Sequence, residues 1–187
     1  EMIYGSAVRS KYPRAIVKAI HTEKAKALPG VVCVLTADDV PGKNKVGHLK
    51  QDWDTMIAVG DTTRYLGDAI CLVAAETPEI LEQAKALVEV EYEKLKPVTC
   101  PAEAMEEGAP LVHSTGNILS HEHLVRGNAD EVIAASKYKV TRHYETPWTE
   151  HAFLEPECAV SMPFDGGVLI YSTDQGTYDT RHETSIL

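Results

Sequence analysis

The pattern of apolar and polar positions is clearest in residues 65–98, where it predicts a strand, a helix and a second strand. Residues 70–75 form a short and almost unbroken apolar run, which is typical of a buried strand. Residues 88–92 alternate between apolar and acidic side chains, which is the pattern of a strand with one exposed face. This strand–helix–strand unit is the predicted nucleus of a folded domain.

The helix between these strands is predicted to begin at Pro78. Thr77 can accept a hydrogen bond at the N-cap position, and proline is favoured at the first helical position. Glu79 then lies at the positive end of the helix dipole. Apolar side chains recur at helical spacing, at Ile80, Ala84 and Leu87. We expect this stripe to be buried against a mixed sheet.

Shorter signals organise the rest of the chain. Apolar runs predict strands at residues 3–9, 14–20, 31–35, 158–162 and 168–173, and alternation predicts a strand at 138–145. Asp165, Gly166 and Gly167 are a strong hairpin signal between the last two runs. Short helical segments are predicted near residues 22–27, 36–39 and 101–105, from Asn128 or Asp130 onward, and in residues 175–187. Residues 43–60 show little periodicity and are predicted to cross the surface.

These elements predict an α+β fold with a self-contained domain over residues 1–105. Residues 106–127 are polar and irregular, with several glycines and a proline, and they are the predicted linker. Residues 128–187 contain a helix and antiparallel strands without a complete core. We expect an edge or an apolar face to be exposed there, which favours self-association.

Composition and charge argue against several functions. The 187 residues carry 18 Lys and Arg against 28 Asp and Glu, which gives a net charge of -10. This charge repels phosphate backbones, so nucleic acid is not an expected partner. No apolar run approaches the roughly 20 residues of a membrane span, and the sequence lacks a signal peptide, so we expect no membrane association. The first residue is Glu1, from which we expect a fragment.

The cysteines and histidines give no clear reactive site. Cys33, Cys71, Cys100 and Cys158 form no CxxC pair, and a reducing cytoplasm is the simplest setting for them. His121 and His123 invite a metal interpretation, but no third ligand is evident and a solvated loop is favoured. His151 and Glu155 would share a face on a helical turn, although hydrogen bonding within a tight connection is favoured over a catalytic pair.

No phosphate-binding glycine loop and no Ser/His/Asp nucleophile pattern is present in the sequence. The residues alone therefore predict an α+β domain, a linker and an incomplete meander, and they do not identify a function.

Several segments, in their order and spacing, resemble one family. Residues 30–41, GVVCVLTADDVP, and residues 65–98 resemble the first domain of the molybdenum-binding subunits of xanthine dehydrogenases and aldehyde oxidases. Residues 127–130, GNAD, and 151–156, HAFLEP, are similar to motifs of the following domain, as are residues 172–175, STDQ. The resemblance implies an α/β hammerhead domain followed by an incomplete α+β segment of the molybdopterin-binding, molybdenum-binding domain.

The resemblance also implies an activity for the parent protein. Such enzymes hydroxylate a purine, another N-heterocycle or an aldehyde with oxygen from water. Electrons pass through a molybdenum–pterin cofactor to iron–sulphur clusters and FAD on partner subunits or domains. The family's glutamate base, its glycine-rich loop and its cluster cysteines lie outside these residues. We therefore expect no catalytic residue, no metal ligand and no bound cofactor in this chain alone.

Gln175 is the one cofactor-binding residue that the resemblance implies. The glutamine of the family's TQ motif donates a hydrogen bond near the apical ligand of molybdenum. Here Asp174 stands between Thr173 and Gln175, and an ordinary loop glutamine is the competing interpretation. The sequence does not identify the substrate. A free-standing, non-catalytic interaction module with the hammerhead fold is the alternative to an enzyme fragment.

Overall fold

Over residues 2–187, which the computed structural model describes, the chain forms nine strands and five α-helices in two units. The first unit extends to Ser114 and includes residues 175–187, and the second comprises residues 115–174. The strands of the first unit are β1 (Tyr4–Arg9), β2 (Ala15–His21), β3 (Val31–Leu35), β4 (Lys45–Val46), β5 (Trp53–Asp54), β6 (Ala69–Ala75) and β7 (Glu89–Lys94). Its helices are α1 (Glu23–Lys26), α2 (Pro78–Leu87), α3 (Pro101–Ala104) and α5 (Thr177–Ile186), with a 3-10 turn at Ala37–Asp39. The second unit contains α4 (Ala129–Ala135), β8 (Ala159–Phe164) and β9 (Gly167–Ser172).

The strands of the first unit pair in antiparallel fashion. β6 lies between β1 and β3, with Cys71 opposite Val8 and Val73 opposite Val34. β7 pairs with β2 in a separate two-stranded sheet. The predicted mixed sheet is therefore wrong for residues 2–187, because α2 leads the chain from one sheet to the other and does not return it parallel to β6.

Helix α2 covers the three-stranded sheet and begins where the sequence predicts. The backbone amide of Ile80 donates to the Thr77 hydroxyl at 3.3 Å, which satisfies one of the free amides of the first turn. Leu81 and Ala84 are buried in a cluster with side chains of the sheet, and Leu87 is half-buried against it. The predicted apolar stripe is confirmed, although Leu81 lies deeper than Leu87.

A second apolar cluster joins neighbouring strands of the two sheets and consists of Val17, Ile57 and Ile70. Ile57 is buried, and its amide donates to the Ala69 carbonyl at 2.8 Å. The prediction that residues 43–60 cross the surface is therefore wrong for the end of this segment. The periodicity is lost there because a single side chain enters the core from an irregular stretch of chain.

The second unit contains a capped helix and a hairpin. The amide of Glu131 donates to the Asn128 side chain at 3.3 Å, which fixes the start of α4. β8 and β9 pair around Asp165 and Gly166, whose φ angles of 46° and 75° are left-handed, so the predicted hairpin is confirmed.

Residues 138–145 form no strand, contrary to the prediction. Tyr138, Val140 and Tyr144 are all exposed, and alternation alone does not form a strand without a paired neighbour. Of the helices in the described chain, none combines the length and hydropathy that a bilayer span requires.

Candidate functional site

Gln175 lies in a bend immediately before helix α5, and its side chain is exposed. Gly176 is the N-cap residue of this helix and offers no side-chain cap, while Asp179 occupies the first turn. The side-chain amide of a glutamine offers two N–H donors and one carbonyl acceptor. An exposed amide at this position can donate to an anionic oxygen of a bound group.

The segment just before Gln175 in the sequence is tied down by local hydrogen bonds. The amide of Thr173 donates to the Cys158 carbonyl at 3.3 Å, and the amide of Cys158 donates to the Thr173 hydroxyl at 3.3 Å. The Ser172 hydroxyl donates to the Asp174 carboxylate. Asp174, the residue that separates Thr173 from Gln175, therefore has a hydrogen-bonding role within the second unit.

The chemistry of the donors fits one contact to a molybdenum–pterin group. A phosphorylated pterin needs several donors around its anionic oxygens, and Gln175 supplies one exposed amide. No group of three or more His, Cys, Asp and Glu side chains within residues 2–187 is arranged to hold a metal ion. The described residues thus fit a single hydrogen-bond donor and do not form a metal centre of their own.

The histidine pairs that the sequence suggests do not form catalytic groups. The rings of His121 and His123 lie 6.3 Å apart, centroid to centroid, in an exposed segment without regular structure. His151 and Glu155 also lie in an exposed irregular segment, in which Ala152 has a left-handed φ of 49°. The helical turn that would align His151 with Glu155 is not formed.

A groove of about 670 Å³ in the first unit contains a charged cluster that the sequence pattern did not reveal. The carboxylate of Asp54 is buried, and it accepts hydrogen bonds from Lys45 Nζ at 2.5 Å and from Arg64 Nη1. The backbone amide of Arg64 donates to the buried Asp68 carboxylate at 2.6 Å. These contacts join the short β4–β5 hairpin to residues 64–68.

The two cations determine the ionisation of Asp54. Burial raises the pKa of this carboxyl, but the hydrogen bonds from Lys45 and Arg64 together outweigh burial. The pKa of Asp54 therefore lies below its ordinary value, and the group is an anion at neutral pH. With both cations already committed to Asp54, the cluster is a structural element of the first unit.

Two family models match the chain in succession. Residues 1–96 match the model described as "Aldehyde oxidase and xanthine dehydrogenase, a/b hammerhead domain". Residues 112–186 match the model of the molybdopterin cofactor-binding domain. The first match covers more than half of the 187 residues and shows the family directly.

Curated relatives align along nearly the whole chain. The chain is 38% identical over 183 residues to a probable xanthine dehydrogenase of Bacillus subtilis, covering 97% of this chain and 24% of that protein. It is 34% identical over 189 residues to the nicotinate dehydrogenase large molybdopterin subunit of Eubacterium barkeri, covering 100% of this chain and 44% of that protein. The chain thus spans less than half the length of these relatives.

A solved structure has the same fold. Aldehyde oxidoreductase from Desulfovibrio gigas superposes with a TM-score of 0.80 at 26% sequence identity, over 91% of this chain and 20% of that one. The resemblance and the α+β hammerhead class inferred from the sequence are confirmed by these similarities. The chain belongs to the aldehyde oxidase and xanthine dehydrogenase family, and it carries that family's α/β hammerhead domain followed by residues of its molybdopterin cofactor-binding domain.

Proposed function

We propose that this chain is part of the large subunit of a molybdenum hydroxylase, which hydroxylates a purine, another N-heterocycle or an aldehyde with oxygen from water. The observation that carries the proposal is the succession of hammerhead and molybdopterin-binding matches along one chain. Similarity to proteins named for xanthine, nicotinate and aldehyde oxidation supports this range of substrates. The whole subunit would be several times longer than these residues.

We assign the hammerhead domain to residues 1–105, a linker to residues 106–127 and the start of the cofactor-binding domain to residues 128–187. The matched ranges 1–96 and 112–186 support a division in this part of the chain. The grouping of residues up to 114 into one unit also supports it. Helix α5 differs from the rest of the second domain, because it groups with the first unit.

Gln175 is the residue of this chain that we assign to the cofactor. When bound, the molybdenum–pterin group supplies the two-electron chemistry that places oxygen on the substrate carbon. Gln175 would hold an oxygen of that group by donating an N–H from its side-chain amide, which stabilises negative charge there. No residue of this chain is assigned a catalytic role, and the chain by itself is expected to bind no molybdenum pterin.

The same proposal specifies partners and a compartment. A two-electron oxidation needs an exit for electrons, which we assign to iron–sulphur and FAD-containing subunits or domains. The substrate is a small molecule, and the charge of -10 disfavours nucleic acid. The four cysteines are all free thiols, which supports a reducing cytoplasm as the location.

Replacing Gln175 with alanine in the full-length subunit is expected to lower kcat about ten- to hundredfold. This loss corresponds to one hydrogen bond to a charged group, worth roughly 1.5–3 kcal/mol. Steady-state turnover of xanthine, nicotinate and an aldehyde, with molybdenum content per subunit, measures the effect. Gln83→Ala is the matched control, because Gln83 is exposed on α2.

Two outcomes would contradict these assignments. An unchanged kcat in Gln175→Ala would remove this residue from the site. Stoichiometric molybdenum in the purified 187-residue chain would show that these residues bind the cofactor alone. A full-length protein free of molybdenum would instead favour a non-catalytic interaction module.

The isolated chain is expected to self-associate through the second unit. Trp148 and Leu154 are fully exposed there, and the β8–β9 hairpin has only two strands. Sedimentation equilibrium over a wide concentration range should show a dimer or larger species, weakened by Trp148→Ser and Leu154→Ser. Leu49→Ser, an exposed position of the first unit, should leave association unchanged. A strict monomer at every concentration would refute the expectation.

A further inference from the structure

We propose that residues 42–48 of the hammerhead unit, here named the α5 clamp, position Gln175 by holding helix α5 at both ends. The inference rests on the proposed role of Gln175 at the cofactor. The contacts that define the clamp all lie within the first unit. They connect a loop of the hammerhead domain to a helix that the cofactor-binding family model includes.

At the C-terminal end of α5 the clamp supplies two backbone donors. The amide of Gly42 donates to the Leu187 carbonyl at 2.5 Å, and the amide of Lys43 donates to the Ile186 carbonyl at 2.9 Å. The last carbonyls of a helix have no partner within the helix. A distant loop therefore performs the capping that neighbouring residues perform in many helices.

At the N-terminal end the clamp supplies a side chain. His48 Nδ1 lies 3.2 Å from an oxygen of Asp179, which is in the first turn of α5 and four residues after Gln175. A ten-residue helix is about 15 Å long, so contacts at its two ends fix the direction of its axis. The pair is exposed on both sides, and we therefore assign it to orientation more than to stability.

Other forces on α5 are weak. The helix has no buried residue, so burial of apolar side chains does not determine its position. Gly42 is essential to the close approach, since a Cβ atom there would lie 2.7 Å from the Leu187 carbonyl oxygen and closer still to that of Ile186. Any larger residue at position 42 would separate the loop from the helix.

The consequence for the site follows from the chain connection. Gln175 lies two residues before α5, so a displacement of the helix moves its side chain. Placement errors of about 1 Å at a site that binds reacting groups are costly. Gly42 and His48 are thus positioning residues, which act through Gln175 and do not themselves touch the cofactor.

Hydrogen exchange on the 187-residue chain tests the clamp without any cofactor. In Gly42→Ala, the amides of α5 are expected to exchange about ten- to hundredfold faster, the result of losing two hydrogen bonds. Amides of β6 should be unchanged. Gly5→Ala is the matched control, because its added Cβ meets nothing closer than the Val73 carbonyl oxygen at 3.8 Å. Asp179→Asn, an exposed change that spares the fold, should give a smaller increase of up to about fivefold.

Kinetics on the full-length subunit test whether the clamp acts through Gln175. Gly42→Ala should lower kcat, and combining it with Gln175→Ala should add little further loss, because both changes remove one interaction. A fully additive double variant would overturn the positioning role. Unchanged α5 exchange in both Gly42→Ala and Asp179→Asn would also overturn it, whereas a fully active Gln175→Ala variant would overturn the cofactor role of Gln175 itself.

Discussion

Replacing Asp54 with asparagine is expected to lower the free energy of unfolding by about 3 kcal/mol at pH 7. The Asp54 carboxylate is buried and bonded to both Lys45 and Arg64. Removal of one partner from a buried ion pair commonly costs about 3–5 kcal/mol, because the remaining charge lacks compensation. We expect the lower end of this range, since the Lys45 side chain is half-exposed and can be rehydrated. Urea denaturation of the purified chain measures the change.

The loss is expected to depend on pH in one direction. A carboxyl with a lowered pKa in the folded state contributes stability that is present above its unfolded-state pKa of about 3.9. That contribution disappears as the pH falls through the folded-state pKa, which for Asp54 is lowered. The difference in unfolding free energy between wild type and Asp54→Asn should therefore be constant near neutrality and shrink below about pH 4.

A second aspartate of the same groove provides the control. Asp61 is exposed, so Asp61→Asn should change the free energy of unfolding by no more than about 0.5 kcal/mol. A loss for Asp54→Asn as small as that for Asp61→Asn would show that the buried ion pairs contribute nothing net. A loss that persisted undiminished in acid would show that the Asp54 charge is not its cause.

Replacing Leu81 with alanine is expected to cost about 2–5 kcal/mol in the free energy of unfolding. Leu81 is only 6% exposed, and it joins α2 to the sheet in a cluster that includes Val73 and Ala75. Alanine would leave a cavity that this close-packed cluster can fill only in part. Urea denaturation and the melting temperature of the chain check the expectation.

Leu72 is the matched control for Leu81. It lies on the exposed face of β6 and is 38% exposed, so Leu72→Ala removes the same atoms without opening a buried cavity. We expect a loss below about 1 kcal/mol there. Equal losses for the two variants would show that the α2 contact is not the core of the hammerhead unit.

Local signals in the sequence sufficed for elements whose cause lies within a few residues. Thr77 caps the helix that follows it, and the turn at Asp165 and Gly166 closes its own hairpin. The apolar stripe of α2 is likewise a local pattern, since residues four apart share a face of any helix. These elements could be predicted because their hydrogen bonds and geometry do not depend on distant parts of the chain.

Strand partners could not be predicted in the same way. The alternating pattern of β7 indicates a half-exposed strand, but it does not specify pairing with β2 in place of β6. The similar alternation in residues 138–145 forms no strand. A strand requires a neighbour to complete its backbone hydrogen bonds, and that neighbour is selected by the whole fold.

The sequence by itself determined the α+β class, the start of α2, the β8–β9 turn, and the resemblance that implies a role for Gln175. Only the tertiary structure brought Lys45, Asp54 and Arg64 together, and only it placed Gly42 against the end of α5. These contacts join residues in short or irregular segments, where no periodicity connects them. Packing of the surrounding strands decides such contacts, because the approach of two loops depends on the elements that carry them.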